Sequence, residues 1–206
     1  MKRCVIIGGA DIKDYNTIRQ NIKENDYCVY CDSGLKHLEG LRKSPDLIVG
    51  DFDSHPDPKL SVETITLPCE KDDTDTFYAV KEAVKRGFDD FVLIGVVGQR
   101  LDHSLANISI LMYLDSINKN GVIIDDYSHM MIVSDKPQYI DDSYSYFSLL
   151  NLTGKADGVY IENAKYPLSD ASITCDYQYA VSNEVKKGNS AKVWVNNDRL
   201  LLIKVI

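Results

Sequence analysis

A chain of 206 residues is long enough to bury one good hydrophobic core or two small ones. With 44% apolar and 26% charged residues it has the make-up of an ordinary folded protein, and no polar or repetitive tract points to disorder. Its formal net charge of −8 excludes general binding to nucleic acid or an anionic membrane, since both need a positive field, and an anionic substrate would need local help.

The opening MKRCVIIGGADIKD carries an apolar run too short for a signal segment and enters a glycine turn at once. No later stretch has the length and apolarity of a transmembrane span. The first half then alternates short apolar runs with helical patterns. CVIIGG, YCVYC, DLIVGD and FVLIGVVG read as buried strands ending in Gly or Asp, and GVIIDD closes the series. Between them, Tyr15 to Lys23, Gly34 to Leu41, Asp73 to Arg86 and His103 to Lys119 read as helices. This alternation predicts an α/β domain with a mostly parallel sheet covered on both faces.

From about His129 the chain is rich in tyrosine and β-branched residues, with turn signals at Asp141-Asp142, Gly154, Gly188-Asn189 and Asn196-Asn197-Asp198. A smaller all-β domain, an antiparallel sandwich or barrel, is expected there, with the boundary between residues 126 and 130: domains 1–128 and 129–206. The five cysteines are odd in number and lie mostly inside apolar runs, so they are expected as reduced thiols of a cytoplasmic protein. Cys28 and Cys31 form a CxxC, but in a strand residues three apart point to opposite faces, and no second CxxC or His pair accompanies them. A packing role is expected for both.

In open parallel sheets, ligands collect beyond the carboxyl ends of the strands. Those ends carry Gly8-Gly9, then Asp32-Ser33-Gly34, then Gly50-Asp51-Phe52-Asp53-Ser54. Asp72, Asp73, Thr74 and Asp75 lie where a helix begins, and Arg100 and Asp102 open another. An aspartate near a helix start is often only a cap, and a DxD after a strand is a common turn; the recurrence at successive strand ends is what marks a site. Converging carboxylates need a counter-ion, and an all-oxygen set favours Mg²⁺ or Ca²⁺ over zinc, with substrate phosphates completing the shell. Gly8-Gly9 can let backbone N–H groups approach a phosphate, or can be a simple turn. Neither GxxxxGK[ST] nor GxGxxG is present.

The ordered set CDSG, PDLIVGDFDS, KDDTDTFYAV and GQRLDHSLANI, followed by KYPL and SNE, resembles the thiamine pyrophosphokinase family across essentially the whole chain. The resemblance implies an enzyme that moves a diphosphoryl group from ATP to the hydroxyl of thiamine, giving AMP and thiamine diphosphate. It implies an N-terminal nucleotide and Mg²⁺ domain, a C-terminal β sandwich that binds thiamine, and a homodimer with sites between subunits. Carried over residue by residue, Gly8, Gly9, Asp32, Ser33 and Gly34 face the nucleotide, and Asp51, Asp53 and Asp75 hold Mg²⁺. Asp72, Thr74 and Arg100 are further nucleotide or phosphate contacts, and Asp102 belongs to the catalytic set as base or organiser. Tyr166, Ser182 and Asn183 fall where the family places thiamine contacts. An aromatic can stack on a flat pyrimidine, and Ser or Asn can bond its amine and ring nitrogens. The chain departs from the family at Ser33, where DGG or DGA is frequent, and at Asn163-Ala164, where glycine-leucine is frequent. Two other readings remain open at this point: another Mg²⁺-dependent phosphoryl or diphosphoryl transferase on a small alcohol, and a non-catalytic sensor of nucleotide or thiamine diphosphate.

Overall fold

The computed structural model describes residues 2–52, 60–68, 70 and 72–206, which form two compact units, Met1–Asp126 and Tyr127–Ile206. Unit 1 contains β1 (Arg3–Ile7), α1 (Tyr15–Arg19), β2 (Tyr27–Cys31), a 3₁₀ segment (Asp32–His37) and α2 (Leu38–Leu41). It continues with β3 (Leu47–Gly50), β4 (Glu63–Thr66), α3 (Asp75–Lys85), β5 (Asp90–Ile94), α4 (Leu101–Ser116) and β6 (Asn120–Ile124). The six strands run parallel in the order β4-β3-β2-β1-β5-β6.

The continuous apolar runs are explained by burial on both faces of this sheet. Val5, Ile7, Cys28, Tyr30, Ile48, Val92 and Ile94 share one face with Ile18, Leu35 and Leu41 from the helical segments. The alternate residues Cys4, Ile6, Val29, Val49, Phe91 and Leu93 are equally enclosed, with α3 packed on β1, β2 and β3. Each such Ile, Leu or Phe contributes roughly 1.5–3 kcal/mol by leaving water. Cys28 packs in the first cluster and Cys31 is buried outside it, both as free thiols, so the CxxC is divided between the faces as strand geometry requires.

Two local expectations change. The helix anticipated over Gly34 to Leu41 begins earlier as the 3₁₀ segment and becomes α-helical only at Leu38, because the chain leaves β2 through Asp32 with φ +33 and must turn tightly there. β4 was not anticipated: ETIT is short, polar and only half-buried, so it lacks the apolar run that marks its neighbours.

Unit 2 contains β7 (Ser128–Val133), β8 (Gln138–Asp141), β9 (Tyr146–Leu150), β10 (Lys155–Glu162), β11 (Leu168–Thr174), β12 (Ser190–Asn197) and β13 (Leu200–Val205). They pair antiparallel as β7-β13-β9 and as β11-β10-β12-β8. Period-two alternation sends Ala191, Val193 and Val195 of β12 inward to meet Phe147, Leu149, Val159, Ile161, Leu200 and Leu202. On the other face Trp194 lies opposite Tyr160, with rings stacked at 4.6 Å, and Lys192 sits 4.5 Å above the indole. The fold is therefore an α/β domain followed by a smaller antiparallel β domain. No helix among the described residues is long and apolar enough to cross a membrane.

Candidate active site

In unit 1 the strand order runs outward from β1 through β2, β3 and β4, and in the other direction through β5 and β6. The reversal between β1 and β5 splays the following loops apart, and a crevice forms where they separate. A cleft of about 540 Å³ occupies this edge, lined by residues that follow β1, β2, β3 and β5 and by the starts of α3 and α4. Gly8, Gly9, Asp32, Ser33, Asp51, Thr74, Asp75 and Arg100 all line it, as expected from their places at strand and helix ends.

Asp32, Asp51 and Asp75 offer one carboxylate oxygen each, all within 4.8 Å of one another. At that separation each pair of charges repels by roughly 3.5 kcal/mol or more at an effective dielectric of about 20. Asp32 is buried and the other two are half-buried, so water relieves the repulsion only in part. The backbone supports the cluster with uncommon geometry, φ being +33 at Asp32 and +58 at Phe52. Asp75 opens α3 directly after the N-cap Thr74, whose Oγ1 accepts from Phe77 N–H at 3.2 Å. The adjacent Cys31 is buried, and its sulfur does not join the three carboxylates as a ligand atom. The donor set is thus oxygen only, which fits a hard divalent cation such as Mg²⁺. Asp53, the remaining expected metal ligand, lies outside the described residues, as does Ser54.

The glycines serve chiefly to bring backbone close to backbone. A Cβ on Gly34 would stand 2.3 Å from Ile7 O, and one on Gly8 would stand 2.6 Å from Gly95 O. Gly34 does not line the cleft; it lets the 3₁₀ segment seat against the end of β1. Two amides of the first turn are already committed, Gly8 N–H to Ile94 O at 2.8 Å and Ala10 N–H to Gly95 O at 2.7 Å. Ser33, the departure from the family, places its hydroxyl directly over Gly9, where a Cβ on that glycine would stand 1.9 Å from Ser33 Oγ.

The cationic contribution comes from Arg100, which is exposed and paired with Asp102 at 2.6 Å. That guanidinium holds the Asp102 carboxyl down at about 2, so Asp102 is a weak proton acceptor, and it does not line the cleft. Its geometry is that of an organiser of Arg100. Asp72 is exposed and also outside the lining, where its neighbour Asp73, bridged to Lys81, takes the place.

Sequence reasoning passed over Asn107 and Ser104. Asn107 Nδ2 donates to Val96 O at 2.7 Å; Ser104 Oγ accepts from Gly98 N–H at 3.0 Å and donates to Arg100 O at 2.9 Å. Together they tie the loop after β5 to the first turns of α4. The only available signal was a pair of polar residues, three apart, in an otherwise largely apolar helical run.

In unit 2, Tyr166 is 58% exposed and Ser182 is exposed, with φ +56 and its N–H on Ser148 Oγ at 3.0 Å. Asn183 is enclosed. Its Oδ1 accepts from Tyr166 N–H at 3.0 Å and its Nδ2 donates to Tyr166 O at 2.7 Å. The amide therefore holds the tyrosine's backbone, and the surface that a ligand can meet is Tyr166, not Asn183. Asn163 has φ +56, the conformation for which glycine and asparagine are best suited, which accounts for asparagine standing where glycine is frequent.

Comparison with known proteins agrees with this architecture. Residues 18–124 match the family "Thiamin pyrophosphokinase, catalytic domain", and residues 131–202 match "Thiamin pyrophosphokinase, vitamin B1 binding domain". The chain is 28% identical over 193 residues to a thiamine pyrophosphokinase of Bacillus subtilis, covering 90% of each. Among solved structures, a thiamine pyrophosphokinase from Bacillus subtilis superposes with a TM-score of 0.88 at 23% identity over 99% of both chains. One from Geobacillus thermodenitrificans gives 0.85 at 24% identity, over 99% of this chain and 97% of the other. The thiamin pyrophosphokinase of Candida albicans gives 0.75 at 16% identity, over 100% and 89%. The structural likenesses speak for the fold, and the family matches take up both units, so the chain belongs to the thiamin pyrophosphokinase family of enzymes.

Proposed function

We propose that this enzyme transfers the terminal diphosphoryl group of ATP to the hydroxyl of thiamine, giving thiamine diphosphate and AMP with release of the hydroxyl proton. The observation that carries the proposal is the carboxylate cluster of Asp32, Asp51 and Asp75 on the wall of a nucleotide-sized cleft. Residues 1–128 bind the nucleotide and Mg²⁺, and residues 129–206 supply the thiamine contacts and the dimer interface. Asp51 and Asp75, with Asp32 alongside and Asp53 in the expected set, would hold Mg²⁺, which would supply neutralisation of the phosphate charge and polarisation of the phosphoryl group. The new bond joins the thiamine oxygen to the β-phosphorus, and the bond broken is the bridge from that phosphorus to the α-phosphate oxygen.

The chain's own residues bind and orient. Arg100 offsets the negative charge of the phosphates, held in direction by Asp102. Thr74, Gly9 and Ser33 shape the wall against which the nucleotide lies. The sequence has no P-loop lysine, so more of that electrostatic load falls on Arg100, which lines the cleft. Tyr166 offers a flat surface for the pyrimidine ring, positioned by Asn183.

The deciding experiment separates the nucleotides formed in a single turnover with thiamine, ATP and Mg²⁺. Stoichiometric AMP and thiamine diphosphate are expected. ADP with thiamine monophosphate would refute diphosphoryl transfer, and nucleotide binding without any product would favour a sensor. Light scattering of the active enzyme is expected to give a dimer, and a strictly monomeric active species would refute a site shared between subunits.

A further inference from the structure

His37 is a buried imidazole that the chemistry above does not use, with 1% of its surface exposed. It ends the 3₁₀ segment that Asp32 begins, so one short stretch carries a corner of the carboxylate cluster and this ring. Its Nε2 lies 2.9 Å from Ala10 O, and its Nδ1 lies 2.8 Å from Tyr15 Oη. A carbonyl can only accept, so Nε2 carries the proton, and the Nδ1 lone pair accepts from the tyrosine hydroxyl. Burial, with Lys36 adding to it, pushes the imidazole below its ordinary value, in keeping with a single ring proton; Asp11 and the bond to Ala10 act the other way.

The chain of bonds therefore runs from Tyr15 O–H to His37 and from His37 N–H to the Ala10 carbonyl. On its other side Ala10 donates its N–H to Gly95 O at 2.7 Å. The Ala10 residue is thus pinned from both faces, and Ala10 with Gly8 and Gly9 lines the cleft. Tyr15 is itself seated tightly, since a Cβ on Gly40 would fall 2.4 Å from its ring.

We propose that His37 is a positioning residue which, through the Ala10 carbonyl and supported by Tyr15, sets the Gly8-Gly9-Ala10 turn at the spacing the phosphates of ATP require. The proposal rests on the nucleotide reading of the cleft given above. Replacing the imidazole by a side chain that cannot donate leaves the turn held from one side only, and the loss falls on ATP and not on thiamine.

The test measures MgATP binding by calorimetry, together with the KM for each substrate, in wild type, His37→Leu, His37→Gln and Tyr15→Phe. His37→Leu is expected to weaken ATP about tenfold, the scale for one lost hydrogen bond, with the KM for thiamine unchanged within about twofold. His37→Gln, whose amide N–H can reach the same carbonyl, is expected to recover most of that loss. Tyr15→Phe keeps the ring on Gly40 and removes only the hydroxyl, and is expected to weaken ATP about threefold. If His37→Leu is folded and binds ATP as wild type does, or loses ATP and thiamine affinity equally, the proposal fails. If that variant does not fold, unchanged ATP affinity in Tyr15→Phe overturns it, and weakened ATP affinity with an unchanged thiamine KM supports it. Wild-type protein that binds no ATP would instead refute the nucleotide reading itself.

Discussion

Replacing Asp32 by Asn tests the carboxylate cluster more sharply than replacing either partner, because asparagine tolerates the φ of +33 found there and the change is confined to charge. The three oxygens lie within 4.8 Å of one another, so neutralising one removes two of the three repulsive pairs. At roughly 3.5 kcal/mol a pair, that is roughly 7 kcal/mol before screening at an effective dielectric of about 20. Asp51 and Asp75 are half-buried, and solvent reduces the retained gain to about 1–2 kcal/mol. Metal-free Asp32→Asn is therefore expected to melt about 2–8 °C above metal-free wild type. With Mg²⁺ the order reverses, since wild type gains about 2.7 kcal/mol at a cation concentration 100 times its dissociation constant and the variant gains little. Turnover falls by on the order of a thousandfold. Thermal unfolding in chelator and in Mg²⁺, followed by a thiamine diphosphate assay, gives all three readings. A variant less stable than wild type in chelator that still responds fully to Mg²⁺ would refute the cluster as a cation site.

Asp51→Asn is expected to abolish turnover with the fold retained, read by product formation alongside circular dichroism, because it removes charge and not apolar packing. Arg100→Ala should lower kcat/KM for ATP by about 10–100-fold, and Asp102→Ala by less, since Asp102 acts through the arginine; equal losses would place Asp102 in direct contact with substrate. His37 is depressed from its ordinary 6.5 by burial, so below about pH 6.5 the unfolded chain takes up a proton that the native ring resists. Stability is accordingly expected to fall as pH drops from about 6.5 toward the depressed native value, and His37→Gln should lack that part of the slope in urea titrations at a series of pH values. Asn163→Val should destabilise by about 1–2 kcal/mol because a β-branched residue resists φ +56, whereas Asn163→Gly should be near neutral.

Much of this protein was legible from local pattern. Apolar runs such as CVIIGG and FVLIGVVG mark strands enclosed on both faces, and the later tyrosine- and β-branched-rich stretch punctuated by turn signals marks short antiparallel strands, so the α/β domain and the smaller β domain both follow from the sequence. The aspartates at the ends of successive strands follow as well, because a parallel sheet presents all those ends on one edge. Periodicity reports which side of an element is buried, but not which elements become neighbours. Only the order that sets β1 beside β5 brings the Gly8 and Gly95 turns back to back, and only the tight exit from β2 swings Asp32 against Asp51 and Asp75. The same holds for the polar residues that support the site. His37, Asn107 and Asn183 look unremarkable in sequence because their partners, Ala10, Val96 and Tyr166, lie 27, 11 and 17 residues away, and hydrogen bonds at such separations exist only once the tertiary fold has closed.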